Sequence, residues 1–107
     1  MVNAKFRIVV YPERLDEVLR TVRPLVSRMT DQPGCLGVKM YQDVDNANAV
    51  TLAEEWSSEA DLKGHIASDD FKKILAVLDL SKETPEVRLD TPSGTAGMEY
   101  IEAVRGK

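Results

Sequence analysis

The chain is short of most residues that advertise a function. It has one cysteine, Cys35, in 107 residues, so no disulfide can form within it, which suits a reducing cytoplasm. It has one histidine, His65, and one tryptophan, Trp56, and so no His/Cys cluster at metal-ligand spacing. No apolar run approaches the roughly 18 residues of a membrane span. The opening "MVNAKFRIVV" lacks the small-residue cleavage pattern of a signal peptide. Basic residues are outnumbered, 14 to 18, and are scattered among acids, leaving a net charge of -4 and no footprint for a phosphate backbone. Nucleic acid and membrane are thereby set aside as partners. A G-x-G-x-x-G fingerprint, a Walker loop and a nucleophile elbow are likewise missing from the sequence.

What is present is the composition of an ordinary soluble globular domain, 43% hydrophobic and 30% charged. "AKFRIVVY" (4–11) is rich in β-branched and aromatic residues and predicts a strand. Leu15, Val18, Leu19, Val22, Leu25, Val26 and Met29 recur at helical spacing. Pro12 and the early acids Glu13 and Asp16 suit the first turn of that helix, and Pro24 should kink it. "CLGVKMYQDVD" alternates, with Leu36, Val38 and Met40 on one face and Lys39 and Tyr41 on the other. "NAN" turns the chain into "AVTLAEEW", completing a hairpin. A second helical region begins at a cap, Ser57 or Ser58, and breaks near "SDD", where Ser68 starts a new turn leading to Phe71, Ile74, Leu75 and Leu78. "EVRLDTP" reads as a short edge strand, ended by Pro92. The tail, with Met98, Ile101 and Val104 three apart, reads as a short helix.

The order strand, helix, strand, strand, helix, strand predicts an α+β fold of the ferredoxin-like, split βαβ kind with an antiparallel sheet. Residues 4–90 form its domain and 91–107 a C-terminal extension. With both helices on one face, the other carries apolar members (Val9 and Tyr11, or Cys35 and Tyr41) beside Lys5, Arg7 and Lys39. Face-to-face pairing in a homodimer would bury them.

The stretch "QPGCLGVKMYQDVDNANAVTLAEEWSSEADLKGHIASDDFKKIL" resembles the antibiotic biosynthesis monooxygenase family, including small quinol monooxygenases. The resemblance rests on Pro33-Gly34-Cys35, the Tyr41 to Asp45 hairpin, Glu54-x-Trp56, and His65 followed by Ser68 and Phe71. It implies a dimeric α+β barrel with a pocket between sheet and helices in each subunit. It also implies oxygenation of quinols or anthrones by O₂ with no metal or flavin, although other members degrade haem, isomerise a sugar derivative or have no known activity. Many members carry a His-Phe pair where this chain has Asp70-Phe71, and the haem-degrading members place a histidine where this chain has Leu75.

The candidate catalytic residues are His65 and Glu54. A neutral imidazole works as a base near neutrality; the bland alternative is a hydrogen-bonded residue at the edge of a core. Glu54 shares a strand face with Val50, Leu52 and Trp56, and a carboxylate there costs free energy unless paired or protonated. It is an acid or base, or it is structural and paired with Arg7 or Arg88. Trp56 is either core or a wall that stacks on an aromatic substrate and donates its indole N–H. Tyr11, Tyr41 and Phe71 are the other candidates to line the cavity. Cys35 reads as a small hydrophobe. The expectation is therefore a cofactor-free cytoplasmic monooxygenase whose partners are a small aromatic substrate, O₂ and a second copy of itself. Its rival is a non-enzymatic dimeric domain that binds a small ligand or serves in a stress response.

Overall fold

A computed structural model describes residues 2–106 of the chain. Strand β1 (Val2–Val9) leads through a 3₁₀ turn at Pro12–Arg14 into helix α1 (Leu15–Thr30). The hairpin of β2 (Cys35–Gln42) and β3 (Ala49–Trp56) follows. Two short helices come next, α2 (Glu59–Ile66) and α3 (Asp69–Leu78). The chain then forms β4 (Glu86–Thr91), β5 (Gly94–Ala96) and helix α4 (Met98–Val104). The strands make one antiparallel sheet in the order β2-β3-β1-β4-β5. The first four give the ferredoxin-like α+β arrangement.

Alternation divides the sheet cleanly. Val2, Ala4, Phe6 and Ile8 of β1 and Val50, Leu52, Glu54 and Trp56 of β3 are buried against the helices. Helix α1 brings Val18, Val22, Leu25 and Met29 to that core, and α3 brings Phe71, Ile74, Val77 and Leu78. Helix α1 runs on through Pro24, which sits on its exposed side, so the lost N–H falls where it disturbs no packing. The opposite sheet face carries Lys5, Arg7, Lys39, Glu55 and Arg88. There Arg7 bridges Asp43 at 2.7 Å and Glu86 at 2.9 Å, and Arg88 pairs with Asp90 at 3.1 Å.

Two details depart from simple alternation. The β2–β3 register shifts between Cys35 and Gly37. This bulge turns Leu36 outward, 55% exposed, and packs Cys35 against the core beside its partner Trp56. Leu36 therefore does not share a buried face with Val38 and Met40, and Cys35 does not belong to the open face. Strand β4 is no edge along its second half, because β5 pairs with it from Leu89–Ala96 to Thr91–Gly94. Pro92 sits in the turn between them, where it needs no ladder hydrogen bond.

Helix α2 starts as the sequence asks. Ser58 accepts a hydrogen bond from the Asp61 backbone N–H at 3.1 Å, and Asp61 in turn accepts from the hydroxyls of Ser57 and Ser58. Those two hydroxyls hold the Asp61 carboxyl below the usual carboxylate range. Ser68 caps α3 through the Phe71 N–H.

Candidate functional site

Strand β3 and helix α2 bring the single tryptophan and the single histidine together with Glu54. The alternation of β3 points Glu54 and Trp56 to the helix side, and the last turn of α2 points His65 back at them. Trp56 Nε1 donates to Glu54 Oε1 at 3.0 Å. His65 Nε2 lies 3.2 Å from the same oxygen. That spacing suffices for an ion pair when the imidazole is protonated, but the approach is off the N–H axis and makes no true hydrogen bond. The indole and imidazole rings stack, with centroids 4.8 Å apart and planes 25° from parallel. Phe71 closes the other side of His65 edge-on at 5.2 Å, and Phe6 packs edge-on against Phe71 at 5.9 Å.

The cluster is dry. Glu54 and His65 are the buried polar residues of the core, each 3% exposed, with Trp56 and Phe71 fully covered. Three of their atoms, Glu54 Oε2 and both ring nitrogens of His65, have no hydrogen-bond partner among the described residues. Taking a carboxylate out of water costs several kcal/mol, and one indole N–H returns only part of that. Neither arginine offered by the sequence reaches Glu54. Arg7 and Arg88 lie on the other sheet face, engaged with Asp43, Glu86 and Asp90. Glu54 is thus not a structural partner of Arg7 or Arg88.

Tyr11 and Tyr41 do not join the cavity. Tyr41 is 51% exposed on the open sheet face, because it alternates with Met40. Tyr11 precedes the 3₁₀ turn and is 53% exposed, with the Lys82 ammonium 5.7 Å from its ring centre. Phe6 takes the place at the cluster that the tyrosines were expected to fill. Its signal was available, since Phe6 shares parity with Val2, Ala4 and Ile8 on a strand whose intervening members Asn3, Lys5 and Arg7 are charged or polar.

Two concavities flank the sheet. Between sheet and helices, Phe6, Ile8, Val18, Val22, Val50, Leu52, Ile74, Val77 and Leu78 line an apolar crevice of about 20 Å³, room for about one water. It ends at Phe6, and the way from it to His65 runs through the rings of Phe6 and Phe71. The larger trough, about 480 Å³, lies on the open face among Lys5, Lys39, Tyr41, Glu55, Arg88 and Asp90. Glu54 also borders this trough, but its side chain is fully buried on the helix side and bonded to Trp56, so the larger volume is not where the unpaired polar atoms are.

Cys35 stands next to the cluster through its pairing with Trp56. Burial pushes its thiol up, and the Glu54 carboxylate adds to that shift, so it is a poor nucleophile. Among the described residues no three metal-ligating side chains converge, and no helix is long and apolar enough to cross a membrane.

Comparison with known proteins agrees with this architecture. The sequence profile described as antibiotic biosynthesis monooxygenase matches residues 1–77. A crystal structure described as an antibiotic biosynthesis monooxygenase superimposes with a TM-score of 0.76 at 26% identity, over 83% of this chain and 95% of that one. A conserved protein from Methanosarcina mazei Go1 gives a TM-score of 0.77 at 27% identity, over 84% and 90%. A protein from Bacteroides thetaiotaomicron VPI-5482 bearing the same family name gives 0.69 at 31% identity, over 80% and 83%. No curated protein matches the sequence significantly. The chain belongs to the antibiotic biosynthesis monooxygenase family.

Proposed function

We propose that this member of the family is a cofactor-free monooxygenase of a small quinol-like or polyphenolic aromatic, with His65 as its base. The observation that carries the proposal is the buried cluster itself. A carboxylate and an imidazole with three unpartnered polar atoms sit among Trp56, Phe71 and Phe6, where apolar residues would be more stable. Groups so placed are poised to exchange a proton with something that enters.

His65 Nδ1 takes the phenolic proton of the substrate. Glu54, oriented by the Trp56 N–H, stabilises the resulting imidazolium through the contact between Oε1 and Nε2. The substrate anion passes an electron to O₂, and the substrate radical and superoxide combine to form a carbon–oxygen bond at a carbon that bears hydrogen. The His65 imidazolium returns its proton to the peroxide anion, giving a hydroperoxide. Loss of water from it leaves a carbonyl. One oxygen atom goes to product and one to water, and the substrate supplies the electrons. The aromatic walls keep water away and hold a flat ring by stacking. The charged open face of the sheet is where a second copy would pair, making a homodimer, and the cytoplasm is the compartment that suits Cys35.

The rival reading, a non-enzymatic dimeric domain that binds a small ligand or acts in a stress response, is favoured by one observation. Phe6 and Phe71 close the way between the narrow crevice and His65.

O₂ uptake with reduced quinols and anthrones, measured against the autoxidation of each, separates the two. The expected result is uptake above background that falls about 10²- to 10⁴-fold in His65→Ala, the usual worth of a positioned base. Glu54→Gln should lower it by a smaller factor. Folded native protein that never exceeds autoxidation would move the assignment to the binding reading.

A further inference from the structure

Helix α4 lies outside the segment matched by the family profile, which ends at residue 77. It nonetheless grips the helix that carries His65. Tyr100 Oη donates to Glu59 Oε2 at 2.6 Å, in the first turn of α2. At the other end, Arg105 Nη1 donates to the Ile66 carbonyl at 2.6 Å and to the Ser68 carbonyl at 3.2 Å. Ile101 is buried between these two grips. Glu59 and Ile66 bracket α2 as Tyr100 and Arg105 bracket α4, so the two helices are joined at both ends.

The Arg105 end matters most. Helix α2 ends at Ile66, and the last carbonyls of a helix have no partner within it. The chain breaks there before α3, and the break adjoins His65, whose carbonyl accepts from both the Ser68 N–H at 3.0 Å and the Ser68 hydroxyl at 2.6 Å. Arg105 supplies donors to the residues on either side of Ala67, and its cation complements the negative end of the α2 dipole. The imidazole itself has no hydrogen bond to fix it. Its position is set by ring contacts and by the backbone from which it projects.

We propose that α4 is a positioning strap for His65, with Tyr100 and Arg105 as its two fastenings. The functional meaning of the strap rests on His65 acting as the base; its structural claim does not. Neither residue touches the cluster, so both act through α2.

Because His65 is the only histidine, its ring nitrogens give unambiguous signals in a ¹⁵N spectrum of the intact chain. Arg105→Met should displace or broaden those signals. It should also speed amide exchange at Ala67 and Ser68 on the order of tenfold relative to the core strands, the effect of losing a charge-assisted hydrogen bond. Val26→Ala, a loss of packing on α1, should lower overall stability and leave the His65 signals in place. The strap is overturned if the Arg105→Met signals superimpose on the native ones, or if Val26→Ala moves them equally. Should Arg105→Met fail to fold, Tyr100→Phe decides: displaced His65 signals support the strap, and unchanged ones overturn it. O₂ uptake measured alongside keeps the two proposals apart. Native protein without uptake refutes the oxygenase, while the spectra still decide the strap.

Discussion

Trp56→Phe tests whether the cluster is an energetically coupled unit or three residues that happen to meet. The indole N–H is the one hydrogen-bond donor that the Glu54 carboxylate has among the described residues. For an ionised Glu54, deleting it removes a bond worth about 1.5–3 kcal/mol and leaves the carboxylate buried. Shrinking the fully buried ring adds about 1–2 kcal/mol for the space left behind. The sum, about 2.5–5 kcal/mol, is a large share of the ~5–15 kcal/mol that holds a small domain folded. Glu54→Gln keeps an acceptor for the indole and removes the charge, so in that background the same ring substitution should cost about 1 kcal/mol less. Urea unfolding of the four proteins, followed by far-UV circular dichroism at one protein concentration, gives the coupling directly. Fluorescence is unsuitable because the variant loses the only tryptophan. Additive effects, within about 0.3 kcal/mol, would refute the idea that Trp56 stabilises a charged Glu54.

Other expectations concern the frame around the cluster. Gly34 has φ +84°, and a Cβ there would run into the Asp61 side chain that the Ser57 and Ser58 hydroxyls hold at the start of α2; Gly34→Ala should cost about 2 kcal/mol or more in thermal unfolding, and an unchanged melting temperature would refute the clash. Arg28 holds the Asp70 carboxyl below its ordinary value of 3.8 through bonds of 3.0 and 3.2 Å. A depressed carboxylate adds stability above the unfolded value and loses it as pH falls, so Asp70→Asn should flatten the acid limb of stability against pH below about 4. Burial first, and then the bond to Glu59, raise the Tyr100 phenol to about 12. A raised phenol adds stability below about 10 and loses it as pH climbs toward 12, so Tyr100→Phe should remove an alkaline loss of stability in that window. A tyrosinate absorbance titration should find one of the three tyrosines ionising late, and none doing so would contradict the burial of Tyr100.

The fold was legible because period-2 and period-3.6 patterns are strong in β1, β3, α1 and α3, and because Ser58 and Ser68 cap where short polar residues should. The neighbourhood of Glu54, Trp56, His65 and Phe71 was legible for the same reason: strand parity fixes two of them on one face and helical spacing fixes the others. Two things were hidden. The bulge at Cys35 to Gly37 inserts one residue and reverses the parity of everything before it, which a reading based on alternation gets wrong by construction. The exposure of Tyr11 and Tyr41 was not among them: alternation already set both on the open face, and only their proposal as cavity-lining residues ignored it. Finally, Arg105 acts on backbone carbonyls, and no side-chain pattern marks a residue whose partners are main chain.

The closed state of the cluster and its chemical reading fit together through Phe71. This residue has two neighbours of different kinds, the ring of Phe6 at the end of the crevice and the imidazole of His65. It also follows Asp70, which Arg28 ties to α1, so the first turn of α3 is held from outside while its ring faces inward. On the proposed function, an aromatic substrate reaches His65 only where Phe6 and Phe71 give way, since the crevice has room for about one water. It would then replace the edge-on contact of Phe71 with a stack of its own, exchanging one aromatic contact for another of similar worth. The apolar surface of crevice and substrate would supply the driving force, at about 25 cal/mol for each Å² removed from water. Once there, the substrate hydroxyl would give a partner to His65 Nδ1, which has none within the chain's described residues. Binding would then offset the cost that burial imposes on Glu54 and His65 in the free protein. On this account the unfavourable cluster is the source of specificity, because a purely apolar ring would fill the space and leave that nitrogen unpaired.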